Sequence, residues 1–256
     1  MPTTTRVLLH TDGPALWPSH KPLAEVLALK ASTMADVWET TYQANPQAAG
    51  GTIFQRKWFE HNRYDAADPV LQRTCIARWH SWDTALSDED TAAYSALVVG
   101  ELWPDYRLSI RRVFRDHLDF PSLLEAMNLN ARRDNYDEKL RGIIIEDKAS
   151  GTSAVQTLKG ATIEPWLSSL ILPFMPSGDK VQRGKQASVW CANGSVLLPA
   201  PSPSAPWLFD FEDEFFSFPG SAFKDQADSF NQLVIYMENL LAEGLRARMA
   251  TQTEAR

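Results

Sequence analysis

The run GIIIE at residues 142–146 constrains the fold of this chain more than any other segment. A short, uninterrupted β-branched run is typical of a strand that is buried on both faces of a sheet. Such strands occur where helices cover both faces of a largely parallel sheet. We therefore predict an internal strand that ends at Glu146, in an α/β arrangement.

The segments around this run alternate between strand and helix patterns. In chain order, the sequence predicts strands over 75–83, 94–102 and 106–113, a helix over 121–140, the strand over 142–146, a helix over 150–158, a strand over 166–174, a helix over 179–192, a strand over 195–198, and helices over 207–216 and 225–248. Three consecutive strands followed by α/β crossovers imply a mixed sheet flanked by helices. This α/β order is the pattern of the ribonuclease H-like fold.

Residues 1–70 have a different pattern. Short helices are predicted over 21–32 and 34–43, and Pro46 and the pair Gly50–Gly51 then interrupt the chain. We interpret residues 1–70 as a connecting subdomain and residues 71–256 as the main domain.

The net charge of −7 argues mildly against a protein that coats nucleic acid. It does not exclude a metal-dependent site, because such a site needs clustered carboxylates and basic residues are needed only where a polyanionic ligand binds. No apolar run is long enough to span a membrane, and the N-terminus has no signal-peptide layout. The two cysteines lack metal-ligand spacing and suggest no disulfide framework, which fits a reducing cytosol. We therefore expect a protein of the cytosol. No phosphate-binding GxxxxGK[ST] loop is present, and this chain alone should not hydrolyse ATP.

Acidic residues lie at three places that such a sheet would bring together. Asp83 ends the first predicted strand, Glu146 ends the buried run, and Asp225 and Asp228 share one face at the start of the last helix. Clustered carboxylates repel one another unless a cation neutralises them, and oxygen ligands select Mg²⁺ or Mn²⁺. Two such ions about 4 Å apart support phosphodiester hydrolysis.

Each acid also has a purely structural interpretation. Asp83 could cap the turn after its strand, and Glu146 could be a surface acid at a strand end. Asp225 and Asp228 could be favourable charges at a helix N-terminus. Taken residue by residue, the sequence leaves both interpretations open.

Several motifs, in order, resemble one family. The motifs are TTYQANPQAAGGTIFQRKWF at 40–59, HSWDTA at 80–85, GIIIEDKASGTSAVQTL at 142–158, DKVQRGKQA at 179–187, GSVLLP at 194–199 and FFSFPGSAFKDQADS at 215–229. The first is similar to the stretch that leads into the nuclease domain of phage terminase large subunits, and the others follow that domain's order. The resemblance extends from about Gly13 to Tyr236.

This resemblance implies that Asp83, Glu146 and the pair Asp225 and Asp228 bind the catalytic metal ions, two Mg²⁺ or Mn²⁺. The family implies an endonuclease that cuts concatemeric double-stranded DNA during bacteriophage genome packaging. Its implied partners are a terminase small subunit, a portal or procapsid, and an ATPase domain supplied elsewhere, in the host cytoplasm.

The resemblance also assigns roles to three basic residues. Lys180 and Arg183 belong to the family's basic helix motif and are expected near DNA phosphates or in domain packing. Lys224 is a departure, because the family usually opens its last motif with two adjacent acids. We expect Lys224 to point outward to the DNA backbone; pointing inward, it would replace part of a metal ion's charge.

Two other functions compete with this one. The first is another ribonuclease H-like enzyme, such as a junction resolvase or a transposase core, which would share the acids but not the glycine-pair entry or the DKVQR and SFPG segments. A catalytically inactive domain that only docks DNA, the portal or the small subunit is the alternative that Lys224 favours.

Overall fold

The computed structural model describes residues 19–32, 53–68, 74–84, 94–146, 154–160, 164–175 and 177–254. The chain divides into two compact units, residues 1–52 with 217–221, and residues 53–216 with 222–256. The first unit contains helix α1, Leu23–Ser32, close to its predicted position. The predicted helix over 34–43 lies outside the described residues.

The second unit holds the sheet and the helices around it. In chain order, its described elements are a 3-10 helix (Arg56–Phe59), strands β1 (Arg63–Tyr64), β2 (Ala77–Asp83), β3 (Ser95–Leu102) and β4 (Leu108–Asp116), helix α2 (Phe120–Asp134), strand β5 (Leu140–Glu146), helices α3 (Ala154–Gly160) and α4 (Pro165–Ser168), strand β6 (Ile171–Phe174), helix α5 (Lys180–Ala192), strand β7 (Val196–Pro199), and helices α6 (Leu208–Ser217) and α7 (Asp225–Glu254).

The described strands form one mixed sheet in the order β1-β7-β4-β3-β2-β5-β6. β2, β3 and β4 are antiparallel neighbours, and β5 and β6 continue the sheet parallel to β2. At the opposite edge, β7 pairs parallel with β4, and β1 pairs parallel with β7. The mixed sheet predicted from the sequence is therefore present.

Several local predictions differ from the structure. The helix predicted over 121–140 ends at Asp134, and the strand predicted over 106–113 spans Leu108–Asp116. The predicted strand over 166–174 begins as helix α4, because Pro165 fits the first turn of a helix and Leu167 becomes buried there. Only Ile171–Phe174 forms a strand. Strand β1 was not predicted, since two residues are too few to show an alternating pattern. Residues 53–68 belong to the second unit, whereas the domain boundary at residue 70 stays a prediction.

The two faces of the sheet have different cores. One face is covered by α2, α3 and α4, and its buried cluster contains Trp82, Leu97, Val99, Leu123, Met127, Ala131, Leu140, Ile143, Ile145, Val155, Leu167 and Ile171. Helix α7 packs on the other face against β2, β3 and β5, and α5 packs on α7. Side chains alternate along each strand, so the neighbours of Trp82 and Ile145 in sequence point toward α7.

A phenylalanine cluster fixes α6 beside α7. Phe215 of α6 stacks on Phe54 with ring centroids 4.0 Å apart, and it meets Phe230 of α7 edge-on at 4.8 Å. Phe211 stacks on Phe215 at 5.0 Å, and Phe59 of the 3-10 helix closes the cluster. Aromatic contacts of this kind add to the free energy of burial, and here they hold the N-terminal part of α7 in place. Among the described residues, no helix is both long and apolar enough to cross a bilayer.

Candidate functional site

Asp83 and Glu146 lie side by side at one edge of the sheet. Asp83 is the last residue of β2 and Glu146 the last residue of β5, and these strands are parallel neighbours paired through Trp82 and Ile145. Each acid is therefore one position beyond that pair. Both are half-buried, and alternation turns them toward the face that α7 covers.

Helix α7 begins directly at this edge. Asp225 and Asp228 lie in its first turn, and the Asp228 amide donates to the Lys224 carbonyl at 2.8 Å. The position of α7 is fixed one turn later, where Ser229 Oγ donates to the Ser81 carbonyl at 2.6 Å and Ser81 Oγ donates to the Ser229 carbonyl at 2.8 Å. This reciprocal pair places the start of α7 beside the end of β2.

Gln232 adds a second link between α7 and the strands. Its Nε2 lies 3.0 Å from Ser81 Oγ, 3.2 Å from the Trp82 carbonyl and 3.1 Å from the Ile144 carbonyl. The side chain is buried, so it ties the helix to the ends of β2 and β5 at once. These hydrogen bonds fix the position of α7 relative to the strands that carry Asp83 and Glu146.

Helix α5 brings two cations to the same acids. The Asp179 side chain caps the helix by accepting from the Gln182 amide at 2.7 Å, so Lys180 begins the helix and Arg183 follows on the same face. Lys180 Nζ pairs with Asp228 Oδ2. Arg183 Nη1 lies 3.3 Å from Glu146 Oε1, and its Nη2 lies 3.8 Å from Asp228 Oδ1.

Burial and charge both act on this cluster. Burial raises the pKa of Asp228, and Glu146 adds to that rise, while Lys180 and Arg183 oppose it. Burial alone would lower the pKa of Lys180, but the Asp228 carboxylate outweighs it and raises that pKa, helped by Asp83 and Asp225. The Lys180 ammonium therefore stays charged among the four acids.

The predicted acids lie close to one another around Lys180 and Arg183. The three predicted basic residues differ in exposure and in their ion partners. Lys180 is half-exposed at the rim, with 50% of its side chain accessible, whereas only 8% of the Arg183 side chain is accessible. Lys224 is half-buried immediately before α7 and forms no ion pair with the described residues. Contact of these three residues with DNA stays a prediction.

Glu214 contributes to the site although the sequence analysis did not identify it. Its buried carboxylate accepts from the Ala227 amide at 2.9 Å and from Gln226 Nε2 at 2.7 Å, and it pairs with Arg115 Nη1 at 2.9 Å. Burial raises the pKa of Glu214, and Asp225 adds to the rise. An acid on α6 thus caps the first turn of α7, which bears Asp225 and Asp228. No local motif marks a cap supplied by another helix.

The donor set suits a hard divalent cation. It consists of the carboxylates of Asp83, Glu146, Asp225 and Asp228, with Lys180 and Arg183 as the cations beside them. Four negative and two positive charges leave a formal charge of −2 for a metal to neutralise. Within the described ranges, no group of three acidic, histidine or cysteine side chains has the arrangement of a metal-binding site. Carboxylate oxygens are the ligand type that Mg²⁺ and Mn²⁺ prefer.

The order of the central strands, β4-β3-β2-β5-β6, with helices on both faces defines an α/β fold of the ribonuclease H-like class. No protein-family model and no curated protein matches the sequence. Solved terminases share the fold. The large terminase of a thermophilic bacteriophage superposes with a TM-score of 0.51 at 11% identity, over 83% of this chain and 50% of that one.

A second crystal structure of that phage terminase, in complex with ATP-gamma-S, gives a TM-score of 0.50 at 12% identity, over 81% of this chain and 51% of that one. The human cytomegalovirus terminase nuclease domain gives 0.51 at 12% identity, over 72% of this chain and 94% of that one. The chain thus spans about half the length of the phage protein and most of the cytomegalovirus domain's. The predicted fold class is confirmed, and the predicted resemblance to terminase nuclease domains is confirmed for the fold.

Proposed function

We propose that this chain is the metal-dependent endonuclease domain of a phage terminase large subunit. It would cut concatemeric double-stranded DNA during genome packaging, in the host cytoplasm. Its partners would be the DNA, a terminase small subunit, a portal or procapsid, and an ATPase domain. The similarity of fold to the cytomegalovirus terminase nuclease domain supports the nuclease class.

One observation carries the proposal. Asp83 and Glu146 end neighbouring parallel strands, and Asp228 reaches the same place from the start of α7, where Arg183 lies near both Glu146 and Asp228. Acids that serve only to cap turns or to solvate the surface have no reason to converge from three separate elements. A converging set of half-buried and buried carboxylates is the arrangement that divalent metal chemistry requires.

Asp83, Glu146 and Asp228 would hold the metal ions, with Asp225 at the outer side of the cluster. Bound Mg²⁺ or Mn²⁺, two ions in this proposal, would supply an activated water and stabilise the leaving oxygen of the phosphodiester. The residues of the chain do the rest. Arg183 holds the carboxylates of Glu146 and Asp228 in place, and the half-exposed Lys180 would pair with a backbone phosphate.

Conversion of supercoiled plasmid tests this function. The purified protein should nick and linearise plasmid with Mn²⁺ or Mg²⁺ and leave it supercoiled with EDTA. A nuclease that cuts equally well in EDTA would contradict the proposal, since it would need no metal.

A second function has one observation in its favour. Lys180 and Arg183 pair with the acids and neutralise part of their charge, as expected of an inactive domain that docks DNA or the portal. Under that alternative, plasmid stays supercoiled at every metal concentration while the protein still binds DNA. The same plasmid assay, with a binding measurement beside it, separates the two.

A further inference from the structure

A cluster of aromatic rings and an arginine lies beside the acids, and neither the metal chemistry nor the fold accounts for it. We call it the aromatic rim and define it as Tyr94, Arg115, His117 and Phe223. Tyr94 stacks on His117 with ring centroids 3.7 Å apart, and Phe223 meets Tyr94 edge-on at 5.1 Å. The Arg115 guanidinium lies 4.7 Å from the Tyr94 ring and 5.1 Å from the Phe223 ring.

The sheet register places the aromatic rim at the same edge as the acids. Asp83 pairs with Ala96 of β3, two residues after Tyr94, and the start of β3 pairs with the end of β4, which His117 follows. On the helix side, Phe223 precedes Asp225 by two residues. A nucleic acid whose phosphate reaches Asp83 would therefore lie at the same end of the sheet as the aromatic rim.

The rim is preorganised and open to solvent. Phe223 is 46% exposed, and His117 is also exposed. Arg115 is anchored from behind by Glu214 at 2.9 Å, so its guanidinium is held against the two rings. Exposed aromatic rings cost free energy in water, and here a partly buried ion pair holds an arginine against two of them.

We propose that the aromatic rim stacks an unpaired DNA base next to the cleavage site, which rests on the proposed nuclease function and extends it. Phe223 supplies the stacking surface. The Lys224 ammonium, adjacent in sequence and without an ion partner among the described residues, contacts the phosphate of the same nucleotide. Bases inside an intact duplex offer no free π-face, so the substrate has a locally opened or frayed segment at this point.

The test uses the full chain in EDTA, so that no cleavage occurs, and two duplexes that carry 2-aminopurine. One duplex has a short central mismatch bubble around the 2-aminopurine, and the other is fully paired. We expect tighter binding of the bubble and quenched 2-aminopurine fluorescence. Phe223→Ala should weaken bubble binding about tenfold and abolish the quenching, within the range for losing one stacked base. Phe223→Trp should retain both.

Phe209→Ala is the matched control, because Phe209 is 80% exposed on α6 and is not part of the rim. It should bind the bubble as the wild type does. Equal binding of bubble and paired duplex by the wild type, or equal loss in Phe223→Ala and Phe209→Ala, overturns the proposal. Plasmid cleavage is measured separately. A protein that binds the bubble through Phe223 but never cuts contradicts the nuclease function alone, and one that cuts without using Phe223 contradicts the rim alone.

Discussion

Asp83 and Glu146 occupy equivalent positions at the ends of β2 and β5, one step beyond the last paired residues of these parallel strands. Adjacent strands are about 4.8 Å apart, so the two backbones approach closely enough for their carboxylates to share a metal site. The sequence placed both acids at strand ends, and the parallel pairing of the two strands makes them neighbours.

Arg183 should be required for stability. Its side chain is buried beside Glu146 and Asp228, and Arg183→Ala would remove this cation from both carboxylates, leaving Lys180 beside the buried Asp228. We expect the free energy of unfolding, measured by urea denaturation without metal, to fall by about 3 kcal/mol. Added Mn²⁺ should restore part of the loss by replacing the missing positive charge.

Lys185→Ala is the control for this variant, since Lys185 lies on the exposed side of the same helix. Removing it should change the unfolding free energy by less than about 0.5 kcal/mol. Equal effects of the two substitutions would show that Arg183 contributes only helix propensity, contrary to our account.

Asp228 and Asp225 should differ in importance. Asp228 is 4% exposed and contacts Lys180 and Arg183, whereas Asp225 is half-buried at the start of α7. Asp225→Asn should lower the cleavage rate about 10- to 100-fold, as loss of an outer-shell group does. Asp228→Asn should lower it further, because it removes a ligand. Initial rates of plasmid nicking in Mn²⁺ rank the two, and a more damaging Asp225→Asn would reverse our assignment.

His80 should make the protein less stable in acid. Burial lowers the pKa of His80, with Arg112 and Arg78 adding to the effect and the Asp134 carboxylate opposing it. The unfolded chain therefore takes up a proton near pH 6.5 that the folded protein resists. The stability from His80 is complete above that pH and declines as the pH falls below it, by up to about 1.4 kcal/mol per pH unit.

Urea denaturation between pH 7.5 and 5 measures this effect. The wild type should lose more stability over that range than His80→Gln, which has no titrating group at that position. Parallel pH profiles for the two proteins would mean that the pKa of His80 is the same in the folded and unfolded states, contrary to this prediction.

Lys224 should contact the DNA backbone. The residue is half-buried before α7 and has no ion partner among the described residues. This is expected of a lysine whose long stem reaches outward to solvent. Lys224→Asp should weaken DNA binding and flatten its salt dependence by about one phosphate contact. If Lys224 instead points inward, the same substitution should raise Mn²⁺ affinity. Titrations of salt and of Mn²⁺ on this variant distinguish the two, and unchanged values in both would exclude both orientations.

The sequence predicted the elements whose patterns are local. The β-branched run before Glu146, the helix predicted over 179–192 and the two acids at the start of α7 each have a local pattern, and these elements lie where predicted. These local predictions placed the acids at element ends that a mixed sheet brings to the same side.

The contacts between elements could not be predicted from the sequence. The ion pairs of Arg183 depend on how α5 packs against α7, and the cap that Glu214 supplies depends on how the phenylalanine cluster orients α6. Strand β1 exists only because β7 offers a free edge for two residues. None of these contacts produces a periodic pattern within one segment, so they could not be predicted from the sequence of any single segment.

The most direct test of the account compares wild type with Asp83→Asn and Glu146→Gln in the plasmid assay with Mn²⁺. Both substitutions keep the shape of the side chain and remove the negative charge from a metal ligand. We expect folded proteins whose circular dichroism matches the wild type and which leave the plasmid supercoiled, while the wild type nicks and linearises it. Cleavage at the wild-type rate by either variant would contradict the claim that these two strand ends form a metal-dependent nuclease site.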